Sequence, residues 1–93
     1  MGGWNSIVPR VSKHDKILAA IFADPVRASI RWDDIEKLLE NKGAIITEGE
    51  GSRIRVLLNG VRAVFHRPHP SPTTKKGAVK SVRSFLTAAG IKP

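Results

Sequence analysis

The sequence predicts an α+β domain of two layers, in which helices pack on one face of a three-stranded antiparallel sheet. Apolar residues recur at helical spacing towards both ends of the chain, and three short β-rich runs lie between them. Asn59-Gly60 separates the last two runs, and this dipeptide is the strongest short-range signal for a β-hairpin. We expect one domain over residues 13–93, preceded by a flexible segment at residues 1–12.

Three helices are predicted, the first of them an addition at the N-terminal side of the domain. It starts after Ser12, where Asp15 completes a weak capping box, and ends at Pro25. The second helix is expected over residues 33–42, with Asp33 as its N-cap.

The third helix is expected over residues 76–89. Gly43 and Gly90 follow the second and third helices, where glycine commonly provides a left-handed cap.

The two-residue turn at Asn59-Gly60 fixes the register of the strands on either side, residues 53–58 and 61–66. A third strand is expected over residues 44–48. The side of the hairpin that must meet the helices carries Ile54, Val56, Leu58, Val61, Ala63 and Phe65. The opposite side pairs Arg53 with His66, Arg55 with Val64, and Leu57 with Arg62. The register therefore predicts an apolar inner face and a basic outer face.

The charge of the chain is strongly one-sided. Residues 51–93 contain nine Lys or Arg and no acidic residue, whereas residues 1–50 hold seven Lys or Arg and all eight acids. The net charge of +8 therefore comes from the C-terminal half, as expected for a protein that binds the phosphate backbone of a nucleic acid. A half without carboxylates lacks the hard oxygen ligands that Mg²⁺ prefers.

The sequence also argues against a metal site, a membrane span and a signal peptide. His66 and His69 have no Cys and no nearby carboxylate to complete a tetrahedral metal site, so we expect neither a metal nor another cofactor. No apolar run approaches the roughly 18 residues of a membrane span, and the start of the chain does not have the pattern of a signal peptide. We therefore expect a cytoplasmic protein with no membrane association.

Several segments resemble the HicA toxin family. They are Gly51-Ser52-Arg53, the hairpin, His69-Pro70, and the tail from Lys75-Lys76-Gly77 to Ala88-Ala89-Gly90-Ile91. The resemblance covers about residues 30–93 and leaves the first predicted helix outside. It implies a fold like that of double-stranded-RNA-binding domains and the activity of an mRNA interferase, an endoribonuclease of a toxin–antitoxin system. It also implies mRNA as substrate and a HicB-type antitoxin as protein partner. The absence of carboxylates from the C-terminal half predicts that cleavage is metal-independent.

One position departs from the family pattern, which has His where this chain has Arg53. A guanidinium stays protonated and cannot accept the proton of a 2′-OH, whereas an imidazole can. His66, opposite Arg53, and His69 are therefore the candidates for acid–base catalysis. Arg53 is the candidate for stabilising the charge on the phosphate.

The basic residues expected to contact RNA are Arg53, Arg55, Arg62, Arg67, Lys75, Lys76, Lys80 and Arg83. Lys75 and Lys76 lie at the positive end of the third helix, where a bound anion would relieve an unfavourable interaction with the helix dipole. Three alternatives remain open. The basic face could simply be solvated, the chain could be an RNA-binding module that has lost catalysis, or it could be a domain that binds an acidic protein.

Overall fold

The computed structural model describes residues 12–93 and confirms the predicted α+β class. A three-stranded antiparallel sheet in the order β2-β3-β4 is covered on one face by helices. No helix in the described residues is long and apolar enough to cross a membrane. Apart from Ser12, the predicted flexible segment at residues 1–12 lies outside the described residues. The elements are α1 Lys13–Ile21, β1 Ile30–Arg31, α2 Trp32–Asn41, β2 Ile45–Glu48, β3 Arg53–Leu58, β4 Val61–His66, β5 Thr73–Thr74 and α3 Lys76–Ala88.

The capping box predicted for α1 is confirmed. The backbone N–H of Asp15 donates to Ser12 Oγ at 3.1 Å, and the N–H of Ser12 donates to the Asp15 carboxylate at 3.3 Å. The hydrogen bond from Ser12 lowers the pKa of Asp15 below its ordinary value. Leu18 and Ile21 place α1 against the core, where both are buried.

The predicted N-cap of α2 is wrong, because the helix begins one residue earlier than expected. Arg31 occupies the N-cap position and makes no side-chain capping bond, and Asp33 lies in the first turn of the helix. The reason is tertiary: β1 ends at Arg31, and the N–H of Trp32 donates to Pro72 O at 3.0 Å. Asp33 still carries its negative charge at the positive end of the helix dipole.

Both helix ends that precede a glycine have the predicted left-handed cap. Gly43 has φ +99° and Gly90 has φ +80°. At the first, Ala44 N–H donates to Leu39 O at 2.9 Å; at the second, Ile91 N–H donates to the carbonyl five residues back, also at 2.9 Å. These bonds supply donors to carbonyl groups that have no partner within the helix, in the Schellman arrangement.

The register predicted for the hairpin is confirmed at all six pairs, from Arg53 opposite His66 to Leu58 opposite Val61. Asn59 and Gly60 both have positive φ, as the tight turn requires. Asn59 has a second role, because its Nδ2 donates to Ala89 O at 2.8 Å. The tip of the hairpin is thereby attached to the C-terminal end of α3.

A second sheet, of two strands, was not predicted. β1 and β5 pair antiparallel, with Ile30 opposite Thr74 and Arg31 opposite Thr73. The N–H of Ser29 extends this pairing by donating to Thr74 O at 3.2 Å. The proline-rich loop after β4 is therefore attached through β5 to the segment that precedes α2.

The core lies between the inner face of the sheet and the helices. All three helices and strands β1, β3 and β4 contribute to it, and Phe65 packs between Trp32 and Phe85 with ring centroids 5.9 and 5.7 Å apart. The buried apolar residues are Leu18, Ile21, Ile30, Trp32, Ile35, Leu38, Leu39, Ile54, Val56, Leu58, Phe65, Val79, Val82, Phe85, Leu86 and Ala89. This arrangement leaves the other face of the three-stranded sheet uncovered within the described residues.

Candidate functional site

The uncovered side of the sheet, here called the outer face, is basic because of the hairpin register. Its cross-strand rows are Ile45 with Leu57 and Arg62, Thr47 with Arg55 and Val64, and Arg53 with His66. The three arginines and the histidine are exposed, and none of the residues in these rows is acidic. The rows also expose two large apolar side chains, Ile45 at 62% and Val64 at 55%. The outer face therefore offers cations beside apolar contact area.

A cleft of about 350 Å³ opens where β4 ends, and it brings two of the predicted catalytic residues to one place. It lies between the end of β4, the loop that follows, β5 and the start of α3. The residues that line it include Trp32, His66, His69, Thr74, Lys75 and Ala78. This volume is at the lower end of the range typical of small-molecule sites. It is large enough for a phosphate with part of a nucleotide.

Arg53 does not line this cleft, although it is directly opposite His66. It borders a neighbouring depression with Glu50, Arg55 and Val64. A third depression, lined by Val64, His66 and residues of α3, lies between the outer face and the cleft. Val64 and His66 thus connect the basic outer face with the cleft.

Arg67 is held by two carboxylates from different elements. Its Nε and Nη2 donate to Glu36 of α2 at 2.8 and 3.1 Å, and its Nη1 and Nη2 donate to Glu48 of β2 at 2.6 and 2.7 Å. Trp32 Nε1 also donates to the Glu36 carboxylate. The hydrogen bond from Arg67 lowers the pKa of Glu48, and the hydrogen bonds that Arg67 donates to Glu36 and Glu48 raise its own pKa. Arg67 also lines the cleft, so these hydrogen bonds stabilise one wall of it.

Arg83 is also engaged within the protein. Its Nε donates to Ile21 O at 2.9 Å and its Nη2 donates to Ala23 O at 2.8 Å. These carbonyls are at the end of α1, whose last turn contains no basic residue. The arginine therefore supplies both hydrogen bonds and positive charge to the negative end of that helix. Of the three basic residues of α3 that were expected to contact RNA, Lys76, Lys80 and Arg83, only the two lysines are exposed.

The start of α3 combines a helix N-terminus with two cations. Lys75 is its N-cap and makes no side-chain capping bond, and no acidic residue lies in the first turn. The N–H groups of such a turn have no acceptor within the helix and attract anions. Lys75 and Lys76 are exposed there, and Lys75 also lines the cleft.

Sequence reasoning missed two residues that line the cleft, Trp32 and Thr74. Trp32 is buried in the core and directly precedes Asp33, and nothing in the sequence around it indicates that the cleft would form against it. Thr74 was missed because β5 pairs with a strand more than 40 residues earlier in the chain. The only local signal is the series Pro68, Pro70 and Pro72, which favours a stiff, extended loop but does not indicate the path of that loop.

Comparison with known proteins gives a family match that begins at α2. The family described as HicA toxin of bacterial toxin-antitoxin matches residues 32–91, which is well over half of the chain. No curated protein and no solved structure matched the chain. The match includes the sheet, the cleft and α3, and it leaves α1 and β1 outside. Toxins of this family are typically ribonucleases, which act on RNA and pair with an antitoxin. The chain therefore belongs to the HicA toxin family of bacterial toxin–antitoxin systems.

Proposed function

We propose that this protein is an mRNA interferase, an endoribonuclease that cleaves mRNA without a metal ion. The single observation that carries the proposal is the continuity between the basic outer face and the cleft that contains His66 and His69. RNA lying across the outer face would reach both imidazoles, with its phosphates near arginine and lysine side chains. Contacts of this kind fit the recognition of RNA through phosphate and 2′-OH groups.

The proposed reaction needs one base and one acid, and the two histidines supply them. The base accepts the proton of the 2′-OH, and the 2′ oxygen then attacks the adjacent phosphorus. The bond to the 5′ oxygen breaks, and the acid protonates that oxygen as it leaves. Imidazole suits both steps because it gains and loses a proton near neutral pH. Arg53 and Lys76 would stabilise the negative charge that develops on the phosphate.

Arg53 and Lys76 belong to a larger set of exposed basic side chains. We assign the remaining RNA contacts to the other members of this set, Arg55, Arg62, Lys75 and Lys80. Arg67 and Arg83 were also expected to bind RNA, but their guanidinium groups already donate to protein acceptors. We therefore propose an indirect contribution for these two residues: Arg67 supports the cleft, and Arg83 supports the attachment of α1.

We further propose that a HicB-type antitoxin, an acidic protein, covers the outer face and so blocks access of RNA. Ile45 and Val64 support this proposal, since exposed apolar side chains among arginines are typical of the centre of a protein interface. Acidic residues on the antitoxin would pair with Arg55 and Arg62. The same surface would then bind RNA and antitoxin in competition.

The test is RNA cleavage at neutral pH in the presence of EDTA, with His66→Ala and His69→Ala assayed separately. Each variant is expected to lose at least a hundredfold in rate, in keeping with the contribution of general acid–base catalysis. His14→Ala, which alters the histidine on α1, is the control and should cleave like the wild type. If both variants at the cleft keep the wild-type rate and arrest growth fully, the catalytic assignment is wrong.

A second candidate function is RNA binding without cleavage. The observation that favours it is Arg53, which stands where the family resemblance places a histidine. This candidate predicts that full-length RNA survives for hours with excess protein, while binding remains sensitive to salt. Cleavage by the wild-type protein that is lost in His66→Ala would eliminate it.

A further inference from the structure

Thr74 has a buried hydroxyl group without a hydrogen-bond partner. The residue is only 2% exposed, and its Oγ1 is the one buried side-chain oxygen or nitrogen in residues 12–93 that lacks a partner. Such a group is unfavourable in a folded protein and calls for a physical explanation. Thr74 lines the cleft and lies two residues before the first residue of α3.

The neighbouring end of α3 points to an anion as the missing partner. This helix has 13 residues, no acid in its first turn and no side-chain cap at Lys75. A Cβ added at Gly77 would meet nothing within 4 Å, so the side of the first turn at this residue is open. Lys75 and Lys76 add two positive charges where the helix dipole is already positive. A water molecule could satisfy a hydroxyl, but it would not neutralise these charges.

We propose that the part of the cleft beside α3 is a phosphate-binding subsite that depends on Thr74. The Thr74 hydroxyl and the N–H groups in the first turn of α3 donate to the phosphate oxygens, and the Lys75 ammonium group balances their charge. This inference rests on the proposed function in one respect: the phosphate belongs to the RNA chain, next to the group on which His66 and His69 act.

The subsite is tested by NMR titration of the full chain with inorganic phosphate. Wild-type protein is expected to show saturable shifts of the backbone amides of Lys76, Gly77 and Ala78. Thr74→Val keeps the branched shape and removes only the hydroxyl, so the fold should be retained with an equal or higher Tm. We expect it to weaken phosphate binding at least fivefold.

The matched control is Thr73→Val, in the same cleft, where the hydroxyl already bonds to Ser71 Oγ at 2.8 Å. This variant should bind phosphate like the wild type. Equal phosphate affinity in wild type and Thr74→Val, or the absence of saturable shifts at the start of α3, would overturn the subsite.

A second arm separates this inference from the ribonuclease proposal. An RNA trinucleotide without terminal phosphates should displace inorganic phosphate from the amides of α3, and failure to do so overturns the assignment to the RNA chain. Phosphate binding that depends on Thr74, in a protein that cleaves no RNA, would support the subsite and count against the proposed activity. RNA cleavage at the same kcat/KM in wild type and Thr74→Val, with unchanged phosphate affinity, would support the proposed ribonuclease activity and overturn the subsite.

Discussion

Arg53 on β3 and His66 on β4 lie directly opposite each other on the outer face of the sheet. Arg67 N–H donates to Ser52 O at 2.8 Å in the next pair along the hairpin. Because hydrogen-bonded and non-hydrogen-bonded pairs alternate in an antiparallel ladder, Arg53 and His66 form a non-hydrogen-bonded pair, in which side chains are closer. Their Cβ atoms are expected about 5 Å apart. A guanidinium and an imidazole can therefore contact one phosphate.

Replacing Arg53 by histidine should increase RNA cleavage. Arg53→His restores the residue that the family resemblance implies and places a second imidazole opposite His66. We expect the cleavage rate in EDTA to rise at least tenfold, a smaller factor than the hundredfold or more that general acid–base catalysis typically supplies. The matched control is Arg55→His, on the same strand and face but opposite Val64. Equal rates in the two variants would mean that the position opposite His66 has no special role.

Neutralising the outer face should weaken RNA binding and its dependence on salt. Arg55→Gln and Arg62→Gln each remove one cation while leaving the sheet register intact. For single-stranded RNA, the slope of log K against log salt is negative, and each variant should reduce its magnitude by about 0.7. Arg27→Gln, at an exposed position before β1, is the control and should leave the slope unchanged. Unchanged slopes in both outer-face variants would place the RNA elsewhere.

Removing the side chain hydrogen bonds of Arg83 should destabilise the protein through α1. Arg83→Met leaves the carbonyl groups of Ile21 and Ala23 without their donors. We expect the free energy of unfolding in urea to fall by about 2 kcal/mol. The control is Lys80→Met on the exposed side of the same helix, which should change stability little. A loss in Arg83→Met no larger than in the control would show that these bonds contribute nothing net.

The ion pair between Glu48 and Arg67 should make stability depend on pH in the acidic range. The hydrogen bond from Arg67 lowers the pKa of Glu48 from its ordinary value of 4.5 in the folded protein. The contribution of the ion pair to stability is therefore complete above pH 4.5, and it is lost as the pH falls through the lower pKa that Glu48 has in the folded state. Wild type should have a higher Tm than Glu48→Gln at pH 7, and the difference should shrink as the pH falls below 4.5.

The control for this experiment is Glu50→Gln, which removes the neighbouring exposed carboxylate. It should show no comparable change in the Tm difference between pH 7 and pH 3. A constant difference between wild type and Glu48→Gln over the whole range would mean that the charge of Glu48 does not matter.

The features that the sequence predicted correctly are those that depend on nearby residues. The hairpin register follows from Asn59-Gly60, and the helix ends follow from the capping box at Ser12 and from Gly90. The predicted pairing of Arg53 with His66 was correct for the same reason, since two residues of turn determine it. Local chemistry is sufficient where the interacting groups are close in sequence.

The features that were missed depend on residues far apart in the chain. Two-residue strands such as β1 and β5 have no periodicity to detect, and their pairing joins segments more than 40 residues apart. The engagement of Arg67 by Glu36 crosses 31 positions, and that of Arg83 by Ile21 O crosses 62. A basic residue that binds RNA and one that binds the protein's own acceptors look alike in a sequence. The position of Thr74 in the cleft was unpredictable for the same reason.

The hydrogen bond between Asn59 and Ala89 has a consequence for how a long ligand would be bound. It joins the turn of the hairpin to the far end of α3, while β4 packs along that helix. The arginines of the sheet and the lysines of the helix are therefore held at a fixed spacing before any ligand binds. An RNA that contacts both would lose conformational entropy on binding, whereas the protein would lose little.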